Sequence, residues 1–148
     1  MFGKEVIFQA MTAERPYAEL LQRLRAVGLR PTRQRLALAR LLFEKGDRHL
    51  TADELHAEAG QAGIGVSLAT IYNTLNQFTQ AGLLREVAVE AGRAYFDTNT
   101  SDHHHFFFED GGMLADIPAE GLSVAGVPAA PKGTAVARVD VIVRLRRG

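Results

Sequence analysis

Apolar residues recur every three or four positions through the first half of the chain, which predicts short amphipathic helices. Four segments show this spacing and each closes at a glycine: 17–28, 31–46, 51–60 and 67–82. Thr51 and Glu54 fit a capping box at the start of the third segment. Ser67 is the expected cap of the fourth helix, whose apolar stripe is Leu68, Ile71, Leu75 and Phe78.

After Gly82 the apolar spacing shifts towards two, which predicts strands. Segments 84–89 and 93–97 form an expected hairpin around Ala91 and Gly92. Further strands are expected at 103–108, 113–117 and 135–145, separated by a loop at 118–133 that holds three of the five prolines. Three antiparallel strands form too small a sheet to stand alone. We therefore expect the apolar face of 135–145 to pair with a second copy of the chain.

Helices followed by a hairpin match a winged helix-turn-helix arrangement. The sequence thus predicts an α+β protein with an N-terminal winged helix-turn-helix and a small C-terminal antiparallel α/β dimerisation domain. The expected boundaries are a flexible arm at 1–16, a DNA-binding domain at 17–98, and a dimerisation and metal- or haem-sensing domain at 99–148.

The 148 residues include no cysteine. This excludes disulfides, thiolate metal sites, iron–sulfur ligation and cysteine catalysis. No apolar run approaches the roughly 20 residues that span a bilayer, and no export signal is visible. We expect a cytoplasmic protein with no membrane contact.

Charge is balanced overall, with 17 basic and 17 acidic residues, but it is uneven along the chain. Residues 1–48 hold ten basic and five acidic residues, whereas 49–131 hold two basic and eleven acidic. This distribution favours contact with a polyanion at the N-terminal end and cation binding in the middle.

The fourth helix is the candidate DNA reader because it carries no charge and precedes the hairpin. Its expected outward side chains are Thr70, Asn73, Thr74 and Gln77, with Tyr72 at the flank. Amides can pair with adenine, and methyl groups or a ring can pack on thymine, which suits an A·T-rich site. Arginines that precede the fourth helix in the sequence would bind DNA phosphates. The candidate DNA-binding residues are Arg30, Arg33, Arg35, Ser67, Thr70, Tyr72, Asn73 and Gln77. A solvated helix face, or a surface for protein contact, is the alternative.

Three consecutive histidines, His103 to His105, form the candidate metal site. In a strand, His103 and His105 point to one face and can share an ion. Imidazole and carboxylate ligands without sulfur suit Fe(II), Mn(II) or Zn(II). The phenylalanines that follow could instead flank a haem with a histidine axial ligand. A second metal or haem site is expected from Asp102, His103, His104 and His105.

A non-haem iron oxygenase is a third hypothesis for the histidine–carboxylate cluster. It is disfavoured because so short a chain shows no sign of a substrate pocket. We therefore expect no enzyme activity.

Segments 28–35 (GLRPTRQR), 67–78 (SLATIYNTLNQF) and 81–83 resemble the ferric uptake regulator family. The histidine run, the missing cysteines and the ending RVDVIVRL are similar to the iron response regulator branch, which responds to haem availability. The resemblance implies a dimeric DNA-binding regulator that binds palindromic A·T-rich operators. It implies a regulatory metal site at His49, Asp97, His103, His105 and Asp116, and base contacts by Tyr72.

The chain departs from the family pattern at several points. It lacks the two cysteine pairs of the structural zinc site and the cysteine-based haem motif, so haem would have to use histidines. Asn73 stands where the family often has arginine, which implies a different operator. The expected function is that of an iron- and haem-responsive transcriptional regulator, in which metal or haem at the histidine–aspartate site controls DNA binding. The alternative is a peroxide-sensing repressor dependent on Fe or Mn, which the aspartates at 97 and 116 also resemble.

Overall fold

The computed structural model describes residues 17–148. The chain separates into two compact units, one ending at Thr100 and the other covering Ser101–Gly148. The arm predicted at 1–16 lies outside the described residues.

The first unit contains four helices: α1 at 17–26, α2 at Arg33–Phe43, α3 at Ala52–Gln61 and α4 at Leu68–Gln80. Three of them begin at a hydroxyl residue that accepts a hydrogen bond from the backbone N–H three positions later: Thr32, Thr51 and Ser67. Each cap satisfies a donor that the helix leaves free, which is why these helices begin where the sequence predicts. The end of α3 differs slightly, because α3 passes through Gly60 and the left-handed glycine is Gly63.

A three-stranded antiparallel sheet completes the first unit. It consists of β1 at His49–Leu50, β2 at Arg85–Glu90 and β3 at Arg93–Asp97, in the order β1-β3-β2. Gly92 has a φ of 74° in the turn between β2 and β3, a conformation that glycine adopts without strain. The predicted hairpin is therefore confirmed.

The core of the first unit joins the apolar stripes of all four helices. Its fully buried members include Leu24, Leu38, Leu42, Leu50, Leu55, Ile71, Leu75 and Phe78. Thr74 is 5% exposed, so its predicted outward position is wrong. It lies three residues after Ile71 and four before Phe78, and this spacing places it on the buried stripe of α4.

The second unit is a three-stranded sheet of β4 at His105–Phe108, β5 at Met113–Asp116 and β6 at Ile142–Leu145, in the order β5-β4-β6. A single 3₁₀ turn, Ala119–Gly121, follows β5. The sheet is mixed rather than wholly antiparallel as expected, because β6 runs parallel to β4. The long connection after β5 lets the chain return to the end where β4 begins, as a parallel pair requires.

Two predicted strands are shorter than expected. The strand predicted at 103–108 begins at His105, so His103 and His104 precede it. The strand predicted at 135–145 covers only Ile142–Leu145. Ile142 pairs with His105, the first residue of β4, so β4 offers no earlier ladder partner to the residues before Ile142, although the Val141 carbonyl still accepts from the His105 N–H at 3.2 Å.

Among residues 17–148, no helix is both long and apolar enough to cross a lipid bilayer.

Candidate metal centre and nucleic-acid surface

The exposed side of α4 carries the side chains predicted to read DNA. Tyr72 is 44% exposed, and Asn73 and Gln77 are also exposed. At the N-terminus of α4, the Ser67 hydroxyl accepts from the Thr70 backbone N–H and donates to the Thr70 hydroxyl at 3.0 Å. These two hydroxyls therefore stabilise the N-terminus of α4 in addition to their predicted role in DNA binding.

The three predicted phosphate-binding arginines have different surroundings. Arg30 and Arg33 are exposed at the start of α2. Arg35 is half-buried, and its guanidinium donates to the Gln77 side-chain oxygen at 3.0 Å and to the Arg30 carbonyl at 2.9 Å. The bond to Gln77 joins α2 to α4. Sequence reasoning missed it, because no local pattern pairs two residues 42 positions apart.

An acidic groove beside α4 was also not predicted. The groove lies between α4, the start of α3 and the β2–β3 hairpin, and Tyr72 and Asn76 contribute to its wall. Four carboxylates line it, Asp53, Glu54, Glu86 and Glu90, together with one basic residue, Arg93, which lies 3.4 Å from the Glu90 carboxylate. The outward face of β2 thus carries negative charge next to the candidate DNA reader.

In the second unit, three of the predicted metal ligands converge. The Nε2 atoms of His103 and His105 each lie 3.4 Å from the same Asp116 carboxylate oxygen. The two imidazole rings are 4.5 Å apart between centroids. His105 and Asp116 are direct partners in the β4–β5 ladder, which places their side chains on one face of the sheet.

The hydrogen bonding of His103 selects the nitrogen that faces the cluster. Its Nδ1 lies 2.6 Å from the Ser101 carbonyl oxygen, which can only accept, so Nδ1 carries the proton. In the neutral ring, Nε2 then holds the free lone pair and faces Asp116. A carbonyl behind a histidine ligand is a common way to orient it for a metal. The sequence could not reveal this carbonyl, because every residue carries one.

His104 is placed differently from its two neighbours. Its Nδ1 accepts a hydrogen bond from the Val141 backbone N–H at 3.1 Å, which ties the start of β4 to the residue before β6. The neutral ring then carries its proton on Nε2, so neither nitrogen has a free lone pair in this arrangement. Asp102 is exposed. The expected second site of Asp102 and the three histidines is therefore not assembled as one cluster here.

The remaining two predicted metal ligands are neighbours in the first unit. His49 and Asp97 face each other in the β1–β3 ladder, and Arg85 faces Asp97 from β2. Asp97 is 1% exposed, and its Oδ1 accepts from the Asn99 backbone N–H at 2.9 Å. A charge that is this deeply buried is stable only when it is paired and hydrogen-bonded, so Asp97 depends on the polar groups around it.

Arg48, next to His49, anchors this edge of the sheet. Its guanidinium donates to both carboxylate oxygens of Glu58 in α3, at 2.9 and 2.6 Å. Its backbone exchanges hydrogen bonds with Thr98, next to Asp97. The hydrogen bond with Arg48 lowers the pKa of Glu58, and the same bond raises the pKa of Arg48.

The donor set of the second unit fits a first-row divalent metal ion. The ligand atoms of His103, His105 and Asp116 lie within 4.8 Å of one another. Imidazole nitrogens with a carboxylate and no sulfur suit Fe(II), Mn(II) or Zn(II). The same atoms can also simply pair with each other, with protonated imidazole against carboxylate.

A winged helix-turn-helix unit joined to a small sheet with a histidine–aspartate cluster defines a class of regulator, and sequence comparison identifies the family. The ferric uptake regulator family matches residues 26–141, so the chain belongs to that family, whose members are transcription regulators. It is 33% identical over 84 residues to the ferric uptake regulation protein of Neisseria gonorrhoeae and 38% identical over 82 residues to that of Bordetella parapertussis. These matches cover 57% and 55% of this chain, and 58% of each relative's length.

Solved structures share the fold. The ferric uptake regulator of Vibrio cholerae superposes with a TM-score of 0.67 at 22% identity, covering 86% of this chain and 98% of that one. The regulator of Pseudomonas aeruginosa, solved with manganese, has a TM-score of 0.63 at 24% identity, covering 84% and 94%. The predicted fold class is confirmed.

Proposed function

We propose that this chain is a metal-responsive repressor or activator of transcription that binds A·T-rich palindromic operators as a homodimer in the cytoplasm. We assign it to the iron response regulator branch of its family, with iron and haem as the signals. The observation that carries this proposal is the convergence of His103 and His105 on Asp116 in a chain that also has an uncharged helix, α4, with an exposed polar face.

The proposed DNA interface consists of α4 and the start of α2. Tyr72, Asn73 and Gln77 would meet base edges, with Ser67 and Thr70 at the helix N-terminus. Arg30 and Arg33 would bind phosphates. The domain roles follow, with residues 17–98 binding DNA and residues 99–148 forming the dimer and sensing the ligand.

The proposed regulatory ion is held by His103, His105 and Asp116, with Asp97 and His49 as further ligands from the first unit. Asp97 precedes His103 by only six residues, which supports their sharing one ion. An ion bound by groups from both units couples them, so loaded and empty protein differ in DNA affinity. The ion supplies a positive charge that holds these ligands together.

Haem is the second proposed ligand, and it would take a histidine of the 103–105 run. From the family branch, we expect DNA binding when iron is scarce and loss of binding with haem. A peroxide-sensing repressor with the same ligands is the alternative function, favoured by aspartate at both 97 and 116. Peroxide treatment of the Fe(II) protein would then leave 2-oxo-histidine at His49 or His103, detectable by mass spectrometry.

A DNA-binding titration tests the proposal. The full chain is titrated onto an A·T-rich palindrome without metal, with Mn(II) and with haemin, while the haem absorption band is recorded. We expect binding that haemin abolishes. Metal binding, measured by calorimetry, should fall at least about tenfold in His103→Ala, since loss of a ligand removes a bond to the ion.

His104→Ala is the matched control, because its ring faces Val141 rather than Asp116. It should retain Mn(II) affinity, while its effect on the haem spectrum tests whether haem recruits this residue. Binding that requires Mn(II) or Fe(II) and ignores haemin would replace the haem-responsive function with ordinary metal co-repression or peroxide sensing.

A further inference from the structure

Arg35 and Gln77 form the hydrogen bond that joins α2 to the recognition helix. We infer that Arg35 is a positioning residue that fixes the polarity of the Gln77 amide and thereby sets the base that α4 prefers. This inference rests on the proposed binding of α4 in the major groove.

The chemistry of the pair allows one orientation of the amide. A guanidinium carries only N–H donors, so the Gln77 group that faces it must be the carbonyl oxygen. The Gln77 NH₂ group is then turned away from Arg35. A glutamine without such a partner can rotate its amide to present either end.

Arg35 is itself held in place. Its second terminal nitrogen donates to the Arg30 carbonyl at 2.9 Å, and its side chain is half-buried. Gln77, by contrast, is exposed on the same side of α4 as Asn73. A fixed arginine thus orients an exposed reader, which is the arrangement that gives a side chain directional preference.

An amide that presents NH₂ selects bases with an acceptor. In the major groove, guanine and thymine present the keto oxygens O6 and O4 at the position where adenine and cytosine present amino donors, and both purines also present the acceptor N7. Because N7 is common to adenine and guanine, discrimination by Gln77 comes from the O6/O4 position, where an NH₂ group held by Arg35 should favour a keto base. This revises the expectation, drawn from sequence alone, that Gln77 pairs with adenine.

The test measures base preference with the full-length protein. A palindrome with randomised positions is first enriched on wild-type protein, and affinities are then measured for the four single-base versions at each symmetric position. At the Gln77 position we expect wild type to favour guanine or thymine by about three- to tenfold, the value of one hydrogen bond. Arg35→Met should reduce this preference to within about twofold.

Gln77→Glu provides the sharpest contrast. Its carboxylate still accepts from Arg35 but presents oxygen in place of NH₂, so its preference should invert to adenine or cytosine. Arg33→Met is the matched control, since Arg33 is an exposed arginine two residues away. It should weaken binding to all versions equally and reduce the salt dependence.

The outcomes distinguish failure of the inference about Arg35 from failure of the proposed DNA-binding function. If Arg35→Met weakens all four versions equally, as Arg33→Met does, Arg35 only contacts phosphate and the inference is overturned. If Gln77→Glu keeps the keto preference, it is overturned as well. If wild type enriches no sequence at all, the proposed DNA-binding function itself fails. Thermal unfolding of each variant shows that the fold is retained.

Discussion

Arg48 and Glu58 form a two-pronged ion pair that ties α3 to the sheet edge carrying His49. Their side chains are 23% and 26% exposed, so solvent screens the pair only in part. Arg48 also donates to the Leu41 carbonyl at 3.2 Å, near the end of α2. One guanidinium therefore fastens two helices next to a proposed metal ligand.

We predict that Glu58→Gln lowers the free energy of unfolding at pH 7 by about 1–2 kcal/mol. The glutamine NH₂ group replaces one carboxylate oxygen, so a hydrogen-bond donor then faces the Arg48 guanidinium, which can only donate. The pKa of Glu58 is lowered from 4.5 in the folded protein. A lowered carboxyl pKa contributes stability that is present above pH 4.5 and is lost as the pH falls through the folded pKa. The wild-type and variant stabilities should thus converge in acid.

Urea unfolding of the metal-free protein at pH 7 and at pH 3 measures this difference. Glu44→Gln is the control, because Glu44 pairs with Arg40 on an exposed helix surface, where an ion pair contributes about 0.5 kcal/mol or less. If the two variants lose equal free energy of unfolding at pH 7, the Arg48–Glu58 pair stabilises the fold no more than an exposed ion pair does.

At the scale of secondary-structure elements, α4 and the hairpin beside it differ in charge. The helix has no charged residue, whereas the outward face of β2 carries Glu86 and Glu90. Tyr72 and Glu86 line the same groove, so a duplex that meets Tyr72 brings phosphates near these carboxylates. Like charges repel, so these carboxylates weaken binding, although Arg93 of β3 lies 3.4 Å from Glu90 and offsets part of its charge.

We predict that Glu86→Gln raises DNA affinity about two- to fivefold at low salt, with the same gain on every sequence. High salt should erase the gain, since screening removes the repulsion. Fluorescence anisotropy at two salt concentrations measures it, with Glu120→Gln in the second unit as a control of equal net charge. A gain restricted to one operator sequence would instead indicate base contact by this strand.

Short-range signals made most elements predictable from the sequence. Thr51 caps α3 and Ser67 caps α4 because a cap acts over three residues. The spacing of His103 and His105 also identified two side chains that meet Asp116, although only His105 lies in a strand. The pairing of Arg35 with Gln77 and of Arg48 with Glu58 was not predictable, because periodicity carries no information on which distant residues meet.

At the scale of the whole molecule, the second sheet has two unlike faces. His105, Phe107 and Leu114 lie on one face and are buried or carry the proposed metal site. The opposite face is apolar yet only partly covered, and its members are Phe106, Phe108, Met113, Ala115, Val143 and Leu145. Met113 is 59% exposed. Contiguous apolar surface of this kind marks an interaction site.

A second copy of the chain is the proposed partner of that face, because a two-fold axis lets one self-complementary patch cover itself and places two α4 helices on a palindrome. Phe106→Glu should raise the dimer dissociation constant by about tenfold or more, since it inserts a charge into the apolar contact.

Sedimentation over a concentration series measures this dissociation constant. Val124→Glu, which changes an exposed valine outside the sheet, should leave the dimer intact. A folded Phe106→Glu protein that stays fully dimeric would place the two-fold contact elsewhere on the second unit. If the variant is monomeric, its affinity for the palindrome should fall to that for a single half-site, because only the dimer contacts both halves at once.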